Sequence, residues 1–174
     1  MRFSELSEKR YSCRKYDTQK TVEWEKIEAV LKAGILSPSA CNGQPYHFTV
    51  CRGELLKKVA KTTKAMGLNS FVDKADTLII ISEKPYSRLA SVGAKVKGND
   101  YRSIDIGIAA AHMTLEATEQ GLGSCIIGWL DSEEIEKMCD IDGKVRLIIT
   151  LGYPLDSAGA KKRKDFSQMV TVKE

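Results

Sequence analysis

SPSACNGQPYHF, residues 37–48, is a polar turn that lies between a helix-like run and a strand-like run of the chain. Pro38 ends the helical pattern, because proline lacks an N–H and clashes with the preceding helical turn. Asn42, Gly43 and Gln44 offer backbone N–H groups and two side-chain amides, which suit a heterocycle that displays both donors and acceptors. A plain helix-to-strand loop has the same composition, so this stretch alone leaves both interpretations open.

The segments before and after this turn alternate between helix and strand patterns. Residues 3–10 and 21–37 predict helices, and the second repeats apolar residues at helical spacing after Thr21 as its cap. Residues 47–51 predict a strand, and residues 53–67 predict a further helix. The first part of the chain therefore mixes the two kinds of element.

The same alternation continues to the last strand. Residues 76–82 are rich in β-branched side chains and predict a buried strand, and residues 105–119 predict a central helix that is apolar nearly all round. The remaining predicted elements are a strand over 124–130, a helix over 131–139 capped by Asp131, and a strand over 145–153. This order predicts an α+β fold of three layers, in which helices sandwich a sheet of about four strands.

Length and composition predict one soluble domain that spans residues 1–174. Apolar residues make up 43% of the chain and charged residues 29%, which is the balance of a globular protein. Apolar runs such as residues 77–82 are far shorter than the roughly 18 residues of a spanning helix, and no signal peptide pattern opens the sequence. We therefore expect a cytoplasmic protein without membrane contact.

The cysteines and histidines predict no metal site. The five cysteines form no C-x-x-C pair, and their odd number argues against a disulfide framework. The two histidines stand far from any cysteine pair, and His112 is expected in the core or at an interface rather than in catalysis. The net charge of +4 is too small to indicate nucleic acid, and the basic run 161–164 has no aromatic motif beside it.

Three further motifs carry groups that could bind a ligand. In KRYSCRKY, residues 9–16, the alternating Arg10, Ser12 and Arg14 would face one way in an extended segment and could grip a phosphate. Gly128 follows an apolar strand and could let a planar ligand approach the backbone. A basic run spans 160–166. Each has an ordinary alternative: a solvated basic patch, a glycine turn and a solvated arm.

Together and in this order, the motifs resemble the nitroreductase family of FMN-dependent oxidoreductases over nearly the whole chain. Residues 9–16 are similar to its Arg-Arg-Ser-x-Arg motif, and residues 37–48 to its Pro-Ser-x-x-Asn-x-Gln-Pro-Trp-x-Phe motif, with Tyr46 in place of tryptophan. Residues 121–129 and 151–154 also match in type and position. The resemblance implies the nitroreductase fold, a three-layer α-β-α sandwich around a mainly antiparallel sheet of four or five strands.

The resemblance also implies which residues bind FMN, and it implies no catalytic side chain. Arg10 and Ser12 would hold the phosphate, Tyr11 would contribute through its backbone, and Arg14 would stabilise the anionic reduced ring. The other implied cofactor-binding residues are Pro38, Ser39, Ala40, Asn42 and Gln44 of the partner subunit, Asn69 near the ring, Ile127 and Gly128 through their backbone, and Arg163 with Lys161 or Lys162 at the phosphate.

The implied activity is the reduction of a nitroaromatic, quinone or similar electron-poor acceptor by NADH or NADPH, through ping-pong hydride transfer. The implied assembly is a homodimer with shared active sites, and the helix 105–119 is its expected interface. Alternatives are a non-enzymatic flavin carrier or sensor, and a family branch that reduces enones or aldehydes or removes halogens. The section 82–101 leaves little room for the helical excursion that covers the flavin in longer members.

Overall fold

The computed structural model describes residues 1–64, 67–86 and 88–174. Seven α-helices, two short 3-10 helices and four strands are found in this part of the chain. The helices are α1 (Phe3–Lys9), α2 (Trp24–Ile35), α3 (Gly53–Thr62), α4 (Arg88–Lys97), α5 (Tyr101–Glu119), α6 (Ser132–Cys139) and α7 (Phe166–Met169). The strands are β1 (Tyr46–Arg52), β2 (Thr77–Glu83), β3 (Gly123–Ile127) and β4 (Val145–Gly152).

The four strands form one antiparallel sheet in the order β1-β2-β4-β3. Alternate residues of β2 enter two separate cores, because successive side chains of a strand point to opposite faces. Leu78 and Ile80 pack in the core that α3 and α6 cover, whereas Ile79 and Ile81 pack in the core that α2 and α5 cover. The predicted α+β fold of three layers is confirmed, and β2 is the predicted buried strand.

Helix α5 is fixed to the end of the sheet by charged groups. The Asp100 side chain caps its first turn by accepting from the Ser103 N–H at 3.2 Å. Glu83, at the end of β2, binds Arg102 of α5 at 3.2 Å and Arg146 of β4 at 2.7 Å. With these contacts the helix begins at Tyr101, four residues before the predicted start. The prediction missed the first turn because its polar residues hide the helical spacing.

Two further boundary predictions were wrong. Helix α2 begins at Trp24, and Glu23 rather than Thr21 occupies its cap position, where the Tyr153 hydroxyl donates to the Glu23 carboxylate at 2.6 Å. Helix α3 ends at Thr62, and residues 65 and 66 of the predicted helix lie outside the described residues. The section 82–101, where little room was expected for the helical excursion of longer members, contains the ten-residue helix α4.

The predictions for Asp131 and His112 differ in their outcomes. Asp131 caps α6 as expected, since its carboxylate accepts from the Glu134 N–H at 3.0 Å. His112 is exposed, so the expected core position was wrong. The alternative, a position at an interface, stays a prediction.

Candidate functional site

The segment that follows α1 is attached to the edge strand β3. The Cys13 N–H donates to the Ser124 carbonyl at 2.9 Å, and Ser12 forms a parallel bridge with Ser124. Cys13 is fully buried, so its neighbours Ser12 and Arg14 are turned outward and are exposed. The edge of the sheet thus presents these two side chains to solvent.

A pocket of about 420 Å³ opens beside this segment. Its floor is provided by one face of α5, and its rim carries a guanidinium and hydroxyl groups. The pocket is lined by Ser7, Arg10, Ser12, Ala111, Thr114, Leu115 and Ile126. The structure therefore brings Arg10 and Ser12 together, as their spacing suggested.

The carboxy-terminal tail returns to the same corner. The Tyr11 hydroxyl lies 2.6 Å from the Asp156 carbonyl oxygen and 2.8 Å from its Oδ1. Further along the tail, the Lys161 ammonium donates to the carbonyl of Ser7, a residue that lines the pocket. The two ends of the chain consequently meet beside Arg10.

Positive charge accumulates at this corner. Burial lowers the pKa of the Lys161 ammonium, and the charges of Arg10 and Arg163 lower it further, while Glu8 acts in the opposite direction. Three cations from both ends of the chain are thus close enough to repel one another. A bound anion would relieve that repulsion.

The donors at this corner fit a phosphate group. Guanidinium forks, an ammonium and hydroxyls are the side chains that bind phosphate oxygens most often. The Ser124 hydroxyl, beside Ser12, is buried and has no hydrogen-bond partner in the described chain. A phosphorylated cofactor of the size of a flavin mononucleotide is therefore compatible with the residues present.

Arg14 does not line the pocket with Arg10 and Ser12, although the three residues alternate. Its guanidinium lies 5.8 Å from the centre of the Phe71 ring, and its Nη1 donates to the Ser12 carbonyl at 3.2 Å. Ser12 and Arg14 are both exposed, but only Ser12 lines the pocket. The Asn69 side-chain amide donates to the Thr63 carbonyl at 3.1 Å and does not line this pocket either.

The polar turn 37–48 has a strained backbone. Cys41, Asn42 and Gln44 adopt left-handed conformations, with φ of 51°, 50° and 45°. Such conformations are uncommon for residues other than glycine and persist where surrounding contacts enforce them. Local bonds supply part of this support, since the Ser39 hydroxyl accepts from the Gln44 N–H at 3.0 Å.

Within one protomer, the turn 37–48 lies apart from the pocket beside Arg10. The Ala40 N–H donates to Asp105 of α5 at 3.0 Å, whereas the pocket uses Ala111 and Leu115 of the same helix. At about 1.5 Å per residue, these positions are roughly 9–15 Å apart along the helix axis. Asp105 is buried and Ala111 is exposed, so they also lie on different sides of α5. Pro38, Ser39, Ala40, Asn42 and Gln44 do not line the pocket.

Strand β3 ends at Ile127, which is buried, and the exposed Gly128 follows it. A Cβ atom on Gly128 would be in ordinary van der Waals contact with Leu147, at 3.8 Å. A second pocket of about 920 Å³ is lined by Trp129, Asp131 and Lys144, among others. At the end of the strand, Gly128 is thus exposed to solvent whereas Ile127 is covered.

Sequence reasoning missed three residues of these sites. Ser7 and Thr114 line the pocket, and no local pattern distinguishes them from ordinary helix residues. Asp105 contacts the polar turn, and its signal was a carboxylate within an otherwise apolar helix. An acidic side chain in such a position needs a partner, and the sequence does not show which one.

Groups of metal ligands and membrane-spanning helices are both absent from the described residues. Within residues 1–64, 67–86 and 88–174, no group of three or more histidine, cysteine, aspartate or glutamate side chains could hold a metal ion. In the same residues, no helix has the length and apolar character that crossing a membrane requires.

Comparisons with known proteins agree on one family. The family model described as the nitroreductase family matches residues 8–67 and 61–153. A Streptococcus pyogenes protein named as a candidate NAD(P)H nitroreductase is 27% identical, over 88% of this chain and 90% of the relative. An oxygen-insensitive NADPH nitroreductase of Helicobacter acinonychis is 24% identical, over 96% and 94%.

A crystal structure of a nitroreductase family protein from Streptococcus pneumoniae superposes on this chain with a TM-score of 0.85. The alignment covers 99% of this chain and 100% of that one at 22% identity. At this level of identity the superposition shows the fold alone.

Proposed function

The chain belongs to the nitroreductase family, and we propose that it is a cytoplasmic, FMN-dependent oxidoreductase that uses NADH or NADPH to reduce a flat, electron-poor acceptor. The contact of the Lys161 ammonium with the carbonyl of Ser7, a residue that lines the same pocket as Arg10, is the observation that carries the proposal. The names of the relatives support NAD(P)H as the electron donor. Nitroaromatic compounds and quinones are the acceptors we propose.

In this proposal the phosphate is held by residues from both ends of the chain. Arg10 offers a planar fork of N–H donors, and Ser12 offers a hydroxyl on the same pocket wall. Lys161 and Arg163 add two charges from the tail, with Lys162 next to them, and Tyr11 fixes the start of that tail through Asp156. The pocket would therefore be completed only when the tail is docked.

When bound, FMN supplies hydride transfer from a nicotinamide to an acceptor in a ping-pong cycle. Arg14 would place a permanent positive charge near the polar edge of the ring, because its guanidinium is held against Phe71 rather than directed into the pocket. Asn69 would also lie near the ring, and the backbone at Ile127 and Gly128 would present polar groups without a titrating side chain. We propose no catalytic side chain, and solvent would supply protons.

A homodimer with shared sites is part of the proposal. The exposed side of α5 carries apolar and small residues at helical spacing, and we call it the α5 face: Ile104, Gly107, Ile108, Ala111 and Leu115. Such a stripe suits close packing of a second helix. Since the strained turn lies away from the pocket of its own protomer, its residues would reach the cofactor of the other subunit.

The absorbance spectrum of the purified protein tests the cofactor. We expect a flavin spectrum, release of FMN on denaturation, and bleaching of the visible band when NADH or NADPH is added without air. A colourless protein that does not take up FMN would refute the proposal. A flavin band that no nucleotide bleaches would support a carrier or sensor instead.

A double variant tests the phosphate site. Arg10→Ala with Arg163→Ala should weaken FMN binding by at least about a hundredfold, because each charge-assisted hydrogen bond contributes about 1.5–3 kcal/mol. The control is Lys58→Ala with Lys61→Ala, which removes the same charge from α3 in the other helical layer. Equal FMN affinities for the two double variants would contradict the assignment of Arg10 and Arg163.

A further inference from the structure

Helix α5 carries one buried carboxylate that the phosphate pocket does not use. Asp105 is 3% exposed, and its Oδ1 accepts from the Ala40 N–H at 3.0 Å. Its other oxygen, Oδ2, is buried and makes no hydrogen bond to the described residues. Burial of a charged group with one partner is unfavourable, so packing alone does not account for an acidic side chain at this position.

The hydrogen bond between Asp105 and Ala40 is unusual for the turn as well as for the helix. The other described side-chain bonds to the backbone of residues 39–44 come from within the turn, from Ser39 and Gln44. Asp105 is the one described side chain from another element that binds this backbone. It acts at Ala40, immediately before the left-handed Cys41 and Asn42. Among the described side chains outside the turn, hydrogen-bond support for the strained conformation is therefore confined to this single N–H.

Stabilisation of the helix is the simplest alternative role for Asp105. A negative charge near the beginning of a helix interacts favourably with the helix dipole. The Asp100 side chain already caps the first turn, however, by accepting from the Ser103 N–H. Asp105 is one helical turn further along, where the effect of the dipole is weaker. Its Oδ1 already accepts from the Ala40 N–H of the polar turn.

We propose that Asp105 is a positioning residue, which holds the turn 39–44 in the conformation that presents its amide groups to the flavin of the partner subunit. This inference rests on the proposed function for the identity of the ligand. The positioning itself can be tested without flavin, because the hydrogen bond and the left-handed residues lie within the chain. Asp105 needs only to be a hydrogen-bond acceptor for this role, not a charge.

Hydrogen exchange in the flavin-free protein tests the positioning directly. In Asp105→Leu, which keeps a similar volume but offers no acceptor, the Ala40 amide should exchange at least about tenfold faster. Asp105→Asn retains an acceptor oxygen and should remain within about threefold of the original rate. Asp100→Ala is the control, because it removes a carboxylate from the same helix end and should leave amides 40–44 unchanged.

A second measurement links the turn to the cofactor. Asp105→Leu should bind FMN at least about tenfold more weakly and shift the visible flavin band, whereas Asp105→Asn should restore both properties. If the leucine variant does not fold, Asp105→Ser, whose shorter side chain cannot span the distance to Ala40, replaces it. A shift of the band is a readout that a purely structural role would not change.

The outcomes separate the two proposals. Unchanged exchange at Ala40 in the leucine or serine variant would overturn the positioning role, and so would an asparagine variant that behaves like leucine. Failure of the original protein to bind FMN would refute the proposed function alone, since the exchange comparison needs no flavin. Faster exchange with an unchanged flavin affinity and band would show that the turn does not reach the cofactor and would overturn the inference.

Discussion

Tyr11 joins the beginning of the chain to its tail through one hydroxyl group. Burial raises the pKa of this phenol, and its hydrogen bond to the Asp156 carboxylate raises it further, so the group stays protonated and remains a donor. The tail that follows carries Lys161 and Arg163, and these cations depend on where Asp156 is held. In the proposed function, the hydroxyl therefore acts on the pocket beside Arg10 from outside it.

Tyr11→Phe should release the tail. Loss of a hydrogen bond of about 0.5–1.5 kcal/mol corresponds to roughly 2- to 12-fold more of the undocked tail. Trypsin should cleave within residues 161–164 faster by that factor, as followed by mass spectrometry. The control is Tyr101→Phe, which removes the same group at the beginning of α5. Equal cleavage rates in the two variants would contradict this role of Tyr11.

Glu136 gives the fold a dependence on pH. The Ser132 hydroxyl and the Val145 N–H donate to its carboxylate and hold its pKa below the usual value. A lowered pKa in the folded state means stabilisation that is present above the unfolded pKa of about 4.3 and is lost as the pH falls through the folded value. The carboxylate thus stabilises the junction of α6 and β4 at neutral pH.

Glu136→Gln should make the free energy of unfolding less dependent on pH at acid pH. Urea unfolding between about pH 7 and pH 3 should show a smaller loss of stability for this variant than for the original protein, because the amide does not titrate. Glu133→Gln, on the exposed side of the same helix, should keep the original slope. Parallel profiles for the original protein and Glu136→Gln would exclude the assigned cause.

Single residues show where the sequence pattern was sufficient and where it was not. Arg10 and Ser12 reach one pocket, as their spacing and the family resemblance suggested. Arg14 follows the same alternation but lies against Phe71, a residue from a distant part of the chain. Asp105 likewise bonds to Ala40 across two elements. Contacts of this kind depend on how elements pack, which local spacing does not encode.

At the scale of elements, α5 has two different sides. One side packs against α2, where Gly34 allows a close approach, since a Cβ atom there would lie 2.8 Å from Met113. The other side is the α5 face, and Ile104 on it is 49% exposed. An apolar side that remains exposed in the protomer is consistent with the proposed dimer.

Ile104→Glu should shift the protein toward monomers. A charge at the centre of an apolar interface remains unpaired, which typically costs several kcal/mol on association. Sedimentation at several concentrations should show a dissociation constant at least about a hundredfold higher than that of the original protein. Lys58→Glu on α3 is the control, because it changes charge on the other layer. Identical association of the two variants would remove the α5 face from the interface.

Most elements followed from hydrophobic periodicity, and the exceptions have physical reasons. The β-branched content of β2 identified it as a buried strand, and β4 was identified as the last strand. Helix α4 escaped prediction because two of its large apolar residues, Val92 and Val96, are exposed and form no apolar face that packs on a core. Helix α2 begins at Trp24, later than predicted, because Glu23 is held by Tyr153, which lies beyond the end of β4.

For the molecule as a whole, stability should depend on the two cores on either side of the sheet. Ile79→Ala removes a fully buried side chain from the core under α2 and α5 and should destabilise the protein by about 2–5 kcal/mol. Val96→Ala, at a position that is 73% exposed, should change stability by no more than about 0.5 kcal/mol. Denaturant unfolding measures both values, and similar losses for the two would contradict the described core.

The tail adds nothing to those cores. Every residue from 155 to 174 is exposed or only partly covered, whereas the last strand ends at Gly152. Truncation after Pro154 should therefore leave a chain that folds and melts much like the original yet has lost Lys161 and Arg163. In a lineage that no longer needed its coenzyme, a premature stop codon at this point would convert the oxidoreductase into an intact but inert scaffold.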